Sequence, residues 1–262
     1  MTRCLHTVGA WRRLRVRADL DNLEIGFVPT LGALHRGHAS LIERSLAQND
    51  VTVLSVFLNP TQFSDGADLE SYPASFFADR ETAERLGVDY LFCPSSEEMY
   101  PNGYRYRVVE NELSRSLCGE HRPGHFDGVL TVVLKLLHII RPTRAYFGEK
   151  DFQQLELVRG LVRDFFLDVA IVACPTLRHE DGLAVSSRNA LLSRPQRRQA
   201  ALFAALLGSR RQPREIRREL EAKGFEVEYI QDSTHRRFGA VRLGGIRLID
   251  NVPLDSLMEE TR

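Results

Sequence analysis

An α/β fold around a parallel sheet is what this 262-residue chain predicts, on three observations. Short runs rich in β-branched and aromatic residues recur through the part of the chain before Pro175. Most are apolar on both faces, as strands covered by helices on either side must be. Stretches of helical period separate them, which is the βαβ order that parallel strands require. After Pro175 the texture changes, and a smaller α+β domain is expected from about residue 177. The predicted domains are therefore 1–176 and 177–262.

Taken in order, the predicted strands are EIGFVP (24–29), VTVLSVFL (51–58), VDYLFCP (88–94), RAYFG (144–148) and DVAIVAC (168–174). Helical period covers 37–49, 76–87, 126–140 and 151–166. Beyond Pro175, EDGLAVSSRNALLS reads as a polar loop, and RPQRRQAALFAALL and PREIRRELEAKG read as helices. FEVEYIQ and AVRLGGIRLIDN read as short strands. The basic cluster Arg210–Arg218 is interleaved with Glu215 and Glu219, the pattern of a solvated helix face.

Composition narrows the partners. A hydrophobic fraction of 43% supports a sizeable core. Lys plus Arg equals Asp plus Glu at 35 each, so no global field recruits nucleic acid or an anionic membrane, and any basic site must be local. A small-molecule partner is expected. Cys4, Cys93, Cys118 and Cys174 are scattered without a CxxC pair or a secretory segment, which predicts reduced thiols in a cytoplasmic protein. The opening MTRCLHTVGAWRRLRVRADL has no apolar run approaching the roughly 20 residues of a membrane span.

The first stretch with chemistry in it is GFVPTLGALHRGH (26–38), where a strand turns into a helix and two of the eight histidines stand three apart. In an open parallel sheet ligands bind beyond the carboxyl ends of the strands, and a helix starting there points N–H groups and a positive dipole end at an anion. Gly32 and Gly37 permit close backbone approach, and His35 and His38 can lie on one side of the first helical turn. Imidazoles can donate hydrogen bonds to phosphate or supply a proton. An isolated HxxH also fits a metal half-site or two surface histidines; zinc would need further ligands, and no HExxH or Cys/His framework supplies them.

Three later segments share the strand-end or loop position. FLNPTQF (57–63) offers Asn59 and Gln62, neutral amides suited to a carboxylate or hydroxyl. YFGEKDFQQ (146–154) offers Gly148, Glu149, Lys150 and Asp151 and then Gln154 one turn into a helix. Lys150 can neutralise phosphate and Asp151 can accept from ribose hydroxyls, although both residues are also ordinary helix-start chemistry. DGLAVSSRN (181–189) is a flexible loop with two hydroxyls and an arginine, suited to closing over a triphosphate.

Together with SYPASFFADRETAERLGVDYLFCPSSEEMYP, RPGHFDGVLTVVLKLL and GGIRLIDN, these runs resemble the pantothenate synthetase family, the pantoate:β-alanine ligases. The matches cover most of residues 24–193 in family order. The resemblance implies a Rossmann-like sheet domain of the nucleotidyltransferase superfamily, a smaller C-terminal lid and a homodimer. It implies that ATP, with Mg²⁺, activates (R)-pantoate as a pantoyl adenylate, which β-alanine converts to pantothenate and AMP after pyrophosphate has left.

Carried over by position, the resemblance puts ATP on Leu31, Gly32, Ala33, Leu34, His35, Arg36, Gly37 and His38, with His38 as proton donor and His35 its phosphate-binding companion. It adds Gly148, Glu149, Lys150 and Asp151, Leu177 at adenine, and Val185, Ser186, Ser187 and Arg188 as the mobile phosphate loop. Lys150, Ser186, Ser187 and Arg188 join the histidines where charge builds. Gln62 is expected to serve pantoate and β-alanine, and Gln154 pantoate.

Several positions depart from the family pattern. Leu31 replaces a usual methionine, Arg36 stands where an acid is common, and the region after Ser193 is short. Ala78 precedes Asp79 where some members carry a second carboxylate near Mg²⁺, so no protein metal ligand is assigned, and the ion is expected with the ATP phosphates near Asp79. His121 and His125 border the expected pantoate pocket, and a structural or solvent-facing role fits them at least as well as a role in that pocket. A nucleotidyltransferase that stops after joining a nucleoside monophosphate to a phosphorylated small molecule, and a silent nucleotide-binding homologue, remain the alternatives. Gln62 and Gln154 speak against the first, and the presence of His38, Lys150 and Arg188 against the second.

Overall fold

A computed structural model describes residues 2–64, 66–70, 72, 73 and 75–255, with backbone alone at 67 and 68. Its strands are β1 (Arg3–Leu5), β2 (Ile25–Thr30), β3 (Val51–Val56), β4 (Tyr90–Phe92), β5 (Arg144–Gly148) and β6 (Ala170–Cys174) in one sheet, ordered β1-β4-β3-β2-β5-β6. Every pairing in it is parallel. Val28, Leu54, Leu91 and Tyr146 of this sheet pack with Leu41 and Ile42 of the Arg36–Gln48 helix, which is why the strand sequences show no polar face.

The five strands expected before Pro175 are β2 to β6, and the four expected helices are Arg36–Gln48, Phe76–Leu86, His125–Ile140 and Phe152–Asp164. The sequence reading missed β1 and the Val8–Arg17 helix. A three-residue strand is too short to show a period, and the helix hides its apolar face among arginines. Trp11 and Leu14 are nevertheless buried, and Arg15 is buried with them because its guanidinium holds Asp21 and the carbonyl of Ile140.

The chain forms two compact units, one running up to Glu149 and resuming over Gln153–Cys174, the other made of Lys150–Phe152 and the chain from Pro175 onward. In the second unit, β7 (Glu226–Asp232), β8 (Arg236–Leu243) and β9 (Ile246–Pro253) form an antiparallel sheet in that order. The run expected as AVRLGGIRLIDN divides at Gly244–Gly245, both at positive φ, into a tight hairpin. The Arg194–Leu207 and Pro213–Ala222 helices cover the sheet through Phe203, Leu207, Ile216 and Leu220. In the basic cluster Arg211 pairs with Glu219 and the exposed Arg214 and Arg218 make a solvated face, whereas Arg217 pairs with Glu221 and also donates to the Val227 and Glu228 carbonyls of β7.

Candidate active site

The chain runs from β2 outward through β3 to β4, then returns to place β5 on the other side of β2. The order therefore reverses between β2 and β5, the switch point where open α/β sheets form a ligand crevice. Segments 31–35, 57–62 and 148–149 leave the carboxyl ends of three neighbouring strands, β2, β3 and β5.

The 31–38 segment is held from within. Asp79, only 2% exposed on the Phe76–Leu86 helix, accepts from the backbone N–H of Ala33 at 3.0 Å and of Leu34 at 2.7 Å. Gly32 lies at φ +92°, and a Cβ there would stand 2.8 Å from the Asp79 Oδ2, so the close carboxylate and the left-handed turn both demand glycine. The Gly32 N–H donates to Thr30 Oγ1 at 3.2 Å. His35 caps the Arg36–Gln48 helix: its Nδ1 accepts from Gly37 N–H at 3.1 Å, while His38 Nδ1 accepts from His35 N–H at 3.3 Å. The two rings stack at 3.9 Å with 21° between their planes.

This differs from the picture of a helix start offering its amides to an anion. The N–H groups of residues 32, 33, 34, 35 and 37 all donate to side chains of the protein. Asp79 and the histidine pair satisfy the N–H groups of residues 33, 34, 35 and 37, which a turn and helix start would otherwise leave open. Burial pushes the Asp79 carboxyl above its ordinary range, opposed by the two N–H bonds. Arg36 is exposed. Among the described residues, no group of three or more His, Cys, Asp or Glu stands together as a metal-binding set.

A second cluster surrounds the Pro60–Gln62 turn. Asn59, fully buried, donates its side-chain N–H groups to Gln62 Oε1 at 3.0 Å and to the Gly128 carbonyl at 3.2 Å. Its own oxygen accepts from Thr61 at 2.9 Å and from the Tyr100 hydroxyl at 2.8 Å. Every atom of the Asn59 amide is thereby fixed, and with Gln62 Oε1 taken as an acceptor, Gln62 presents its NH₂. His125 Nδ1–H donates to the Gln62 backbone carbonyl at 2.7 Å, and Arg122 lies 3.1 Å from the other ring nitrogen. His125 is thus a structural support for the turn. Burial pushes the Tyr100 hydroxyl up to about 12, keeping it a neutral donor, and burial also lowers Lys135, whose ammonium sits 4.7 Å over the Tyr100 ring.

Two glutamines open the Phe152–Asp164 helix, and their roles separate cleanly. Gln153 is buried and staples the 113–118 segment, accepting from Cys118 N–H at 3.1 Å and donating to the Leu113 and Ser116 carbonyls, both at 2.8 Å. Gln154 is half-buried and takes no part in that staple.

In the second unit, Asn251 donates to the Lys150 carbonyl at 3.0 Å, and the Lys150 ammonium lies 3.6 Å from Asp151. The stretch expected as a loop begins as a hairpin: Val185 N–H donates to Leu177 O and His179 N–H to Leu183 O, both at 2.9 Å, around the Asp181–Gly182 turn. Ser186 Oγ then caps the short Ser187–Leu191 helix, accepting from Arg188 N–H at 3.3 Å. Arg178 grips the buried Asp250 through two bonds, at 2.6 and 3.0 Å. Sequence reasoning passed over Arg122, Tyr100, Arg178, Asp250 and Asn251; the last two were visible only as the end of GGIRLIDN.

No helix among the described residues is long and apolar enough to cross a membrane. The cysteines are free thiols, and burial raises Cys93 to about 12. Fold and site together define a Rossmann-like α/β protein with a histidine pair at its switch point. The chain belongs to the pantoate-β-alanine ligase family, whose model matches residues 3–253. A pantothenate synthetase of Bdellovibrio bacteriovorus is 53% identical over 94% of this chain and 95% of its own length. One from Coxiella burnetii is 47% identical over 97% of each. Among solved structures, pantoate-β-alanine ligase from Francisella tularensis, complexed with β-γ ATP and β-alanine, matches with a TM-score of 0.92 and 39% identity over 97% of this chain and 98% of its own. Pantothenate synthetase from Thermus thermophilus matches at 0.88 and 41% identity, over 96% and 99%.

Proposed function

We propose that the chain condenses (R)-pantoate with β-alanine, using ATP, to give pantothenate, AMP and pyrophosphate through a pantoyl adenylate. The observation that carries this reading is the placing of the 31–38, 57–62 and 148–149 segments at the carboxyl ends of three adjacent parallel strands, in a member of this ligase family. The ATP contacts assigned to the first unit are Leu31–His38, Gly148 and Glu149; those assigned to the second are Lys150, Asp151, Leu177 and Val185–Arg188. Gln62 and Gln154 take pantoate, and Gln62 also serves β-alanine. The second unit is assigned the lid role, the working form is a homodimer, and the protein acts in the cytoplasm.

In the first half-reaction a pantoate carboxylate oxygen attacks the α-phosphorus of ATP, and the bond to the β-phosphate oxygen breaks. The presented NH₂ of Gln62 orients the carboxylate without neutralising it, so the oxygen stays nucleophilic. His35, His38, Lys150, Ser186, Ser187 and Arg188 stabilise charge on the phosphoryl oxygens and the departing pyrophosphate. Mg²⁺ enters as part of the nucleotide substrate and neutralises part of the triphosphate charge. Asp79 is already the acceptor for two backbone N–H groups, so its role is to hold the loop. In the second half the β-alanine amine attacks the acyl carbon, the carbon–oxygen bond to AMP breaks, and the nitrogen loses its proton. Exclusion of water protects the adenylate between the two steps.

A substrate matrix tests the proposal. AMP and pyrophosphate should form when ATP, pantoate and β-alanine are all present, and pyrophosphate should exchange into ATP with pantoate alone. Formation of ADP and phosphate, or no turnover with pantoate, contradicts it.

A further inference from the structure

We infer that Tyr100 is a positioning residue for pantoate: its hydroxyl heads a one-way chain of hydrogen bonds that runs through Asn59 to Gln62 and ends on the Gln62 NH₂ that takes the pantoate carboxylate. This rests on the proposal that Gln62 binds pantoate. Tyr100 is buried just after the short Ser96–Met99 helix, 41 residues from Asn59 in the chain. Its O–H donates to Asn59 Oδ1 at 2.8 Å, and the Asn59 NH₂ donates to Gln62 Oε1 at 3.0 Å. The same NH₂ donates to the Gly128 carbonyl at 3.2 Å. A backbone carbonyl can only accept, so this bond fixes which end of the Asn59 amide meets which neighbour. The chain therefore runs in one sense, from phenol to ligand.

An amide that accepts at its oxygen donates more strongly from its nitrogen, so bonds aligned in this way reinforce one another. An anion at the far end gains most, because the last N–H meets a full negative charge. Two features keep Tyr100 a donor. Burial pushes its hydroxyl up to about 12, so the phenol holds its proton at neutral pH. The Lys135 ammonium, which donates to the Met99 carbonyl at 2.6 Å, sits 4.7 Å over the Tyr100 ring and draws electron density from it. The ring itself packs against Phe57 and Tyr104, with centroids 6.3 and 5.7 Å away, so packing and hydrogen bonding belong to different parts of one side chain. Thr61 also donates to Asn59 Oδ1, at 2.9 Å, so losing the Tyr100 O–H loosens Asn59 without stranding its oxygen.

Tyr100→Phe keeps the ring and removes only the O–H. Exchange of pyrophosphate into ATP, followed against pantoate and against ATP, compares the wild-type chain with Tyr100→Phe, Gln62→Ala and the double variant. The pantoate concentration for half-maximal exchange should rise about three- to tenfold in Tyr100→Phe, the scale of one net hydrogen bond, while that for ATP stays the same. In the Gln62→Ala background the same substitution should change neither, because the chain has lost its end. An equal pantoate loss in both backgrounds would make Tyr100 structural only, and no loss in either would remove it from the site; both overturn the inference. The second reading holds even where Tyr100→Phe does not fold: 3-fluorotyrosine placed at position 100 makes the phenol a stronger donor at almost constant shape. Pantoate should then bind more tightly with Gln62 present and no more tightly in Gln62→Ala; unchanged or weaker pantoate binding with Gln62 present overturns the inference. Any of these contrary results, with normal exchange in the wild-type chain, sinks the role of Tyr100 alone. No exchange in the wild-type chain sinks the proposed function and this inference with it.

Discussion

Asn59 donates its side-chain amide to the Oε1 of Gln62 at 3.0 Å, and this bond fixes that oxygen as an acceptor and leaves the Gln62 NH₂ as the other end of the amide. Because the Asn59 oxygen is held by Thr61 and Tyr100 and its NH₂ also by the Gly128 carbonyl, the pair cannot reverse without losing those three partners. Gln62→Ala should lower pantoate affinity by about one to two orders of magnitude, the worth of a hydrogen bond to a carboxylate. Asn59→Asp, which has no donor for Gln62 Oε1, should weaken pantoate as well. Calorimetric titration of each ligand checks this: unchanged pantoate binding in both variants would make Gln62 a turn residue only.

Asp79 should matter to the 31–38 segment, the proposed ATP segment, because it accepts from two of its N–H groups. Asp79→Asn keeps one acceptor and turns an NH₂ toward a backbone N–H, so we expect a loss of about 1–3 kcal/mol in stability and a higher KM for ATP, with KM for pantoate little changed. Equal effects on both KM values would show a general loss of structure.

The same residue predicts a pH dependence. Burial is the larger cause and raises the folded carboxyl above 3.8, so the folded state holds the proton more tightly than the unfolded chain does. The stability contributed by Asp79 is then fully present below 3.8 and lost as pH rises through the raised folded value. Asparagine does not titrate, so the wild-type advantage over Asp79→Asn should shrink with rising pH across that window and then level off. Chemical denaturation of both proteins across this range measures it; an advantage that grows with pH would reverse the sign.

Gly128 lets the His125–Ile140 helix touch the Pro60–Gln62 turn. A Cβ there would lie 2.4 Å from the Thr61 carbonyl oxygen and 2.7 Å from the Gln62 Cα, both backbone atoms with little freedom to yield. Gly128→Ala should cost about 1–3 kcal/mol and displace the turn, weakening pantoate more than ATP. Thermal melts paired with ligand titrations check it; a stable variant with normal pantoate binding would show that the turn tolerates the shift.

In the second unit, Arg178 and Asp250 tie the 177–185 hairpin to β9. Asp250 is buried, but Arg178 is about a third exposed, so removing the acid should cost nearer about 2 kcal/mol than the larger penalty of a wholly buried pair. Asp250→Asn should also open the 177–189 stretch to protease sooner than the rest of the chain. Unaltered cleavage would mean that the Asp181–Gly182 turn holds the hairpin alone.

The parallel sheet was legible because doubly covered strands are apolar throughout, and residues such as Val28, Leu54 and Tyr146 leave no polar face. The chemical segments were legible because loops at strand ends carry unusual residue pairs, His35 with His38 and Asn59 with Gln62. What stayed hidden was the direction of hydrogen bonds. Asp79 reads in sequence as a carboxylate near a phosphate, and only its contact with Leu34, 45 residues away in the chain, shows it to be an acceptor for backbone. The histidines read as a pair facing a ligand, and only the contacts of their Nδ1 atoms with the His35 and Gly37 N–H groups show them capping the Arg36–Gln48 helix. Arg178 and Asp250 lie 72 residues apart, and no local pattern joins them.

Under the proposed reaction pantoate is activated through its own carboxylate oxygen, and the fate of that oxygen tests this most directly. Pantoate labelled with oxygen-18 in the carboxylate is turned over with ATP and β-alanine, and the products are weighed by mass spectrometry. Attack on the α-phosphorus followed by cleavage of the acyl carbon–oxygen bond must leave one labelled oxygen in the phosphate of AMP and one in the pantothenate amide. Label found in inorganic phosphate alongside ADP, or unlabelled AMP beside pantothenate, would contradict the account.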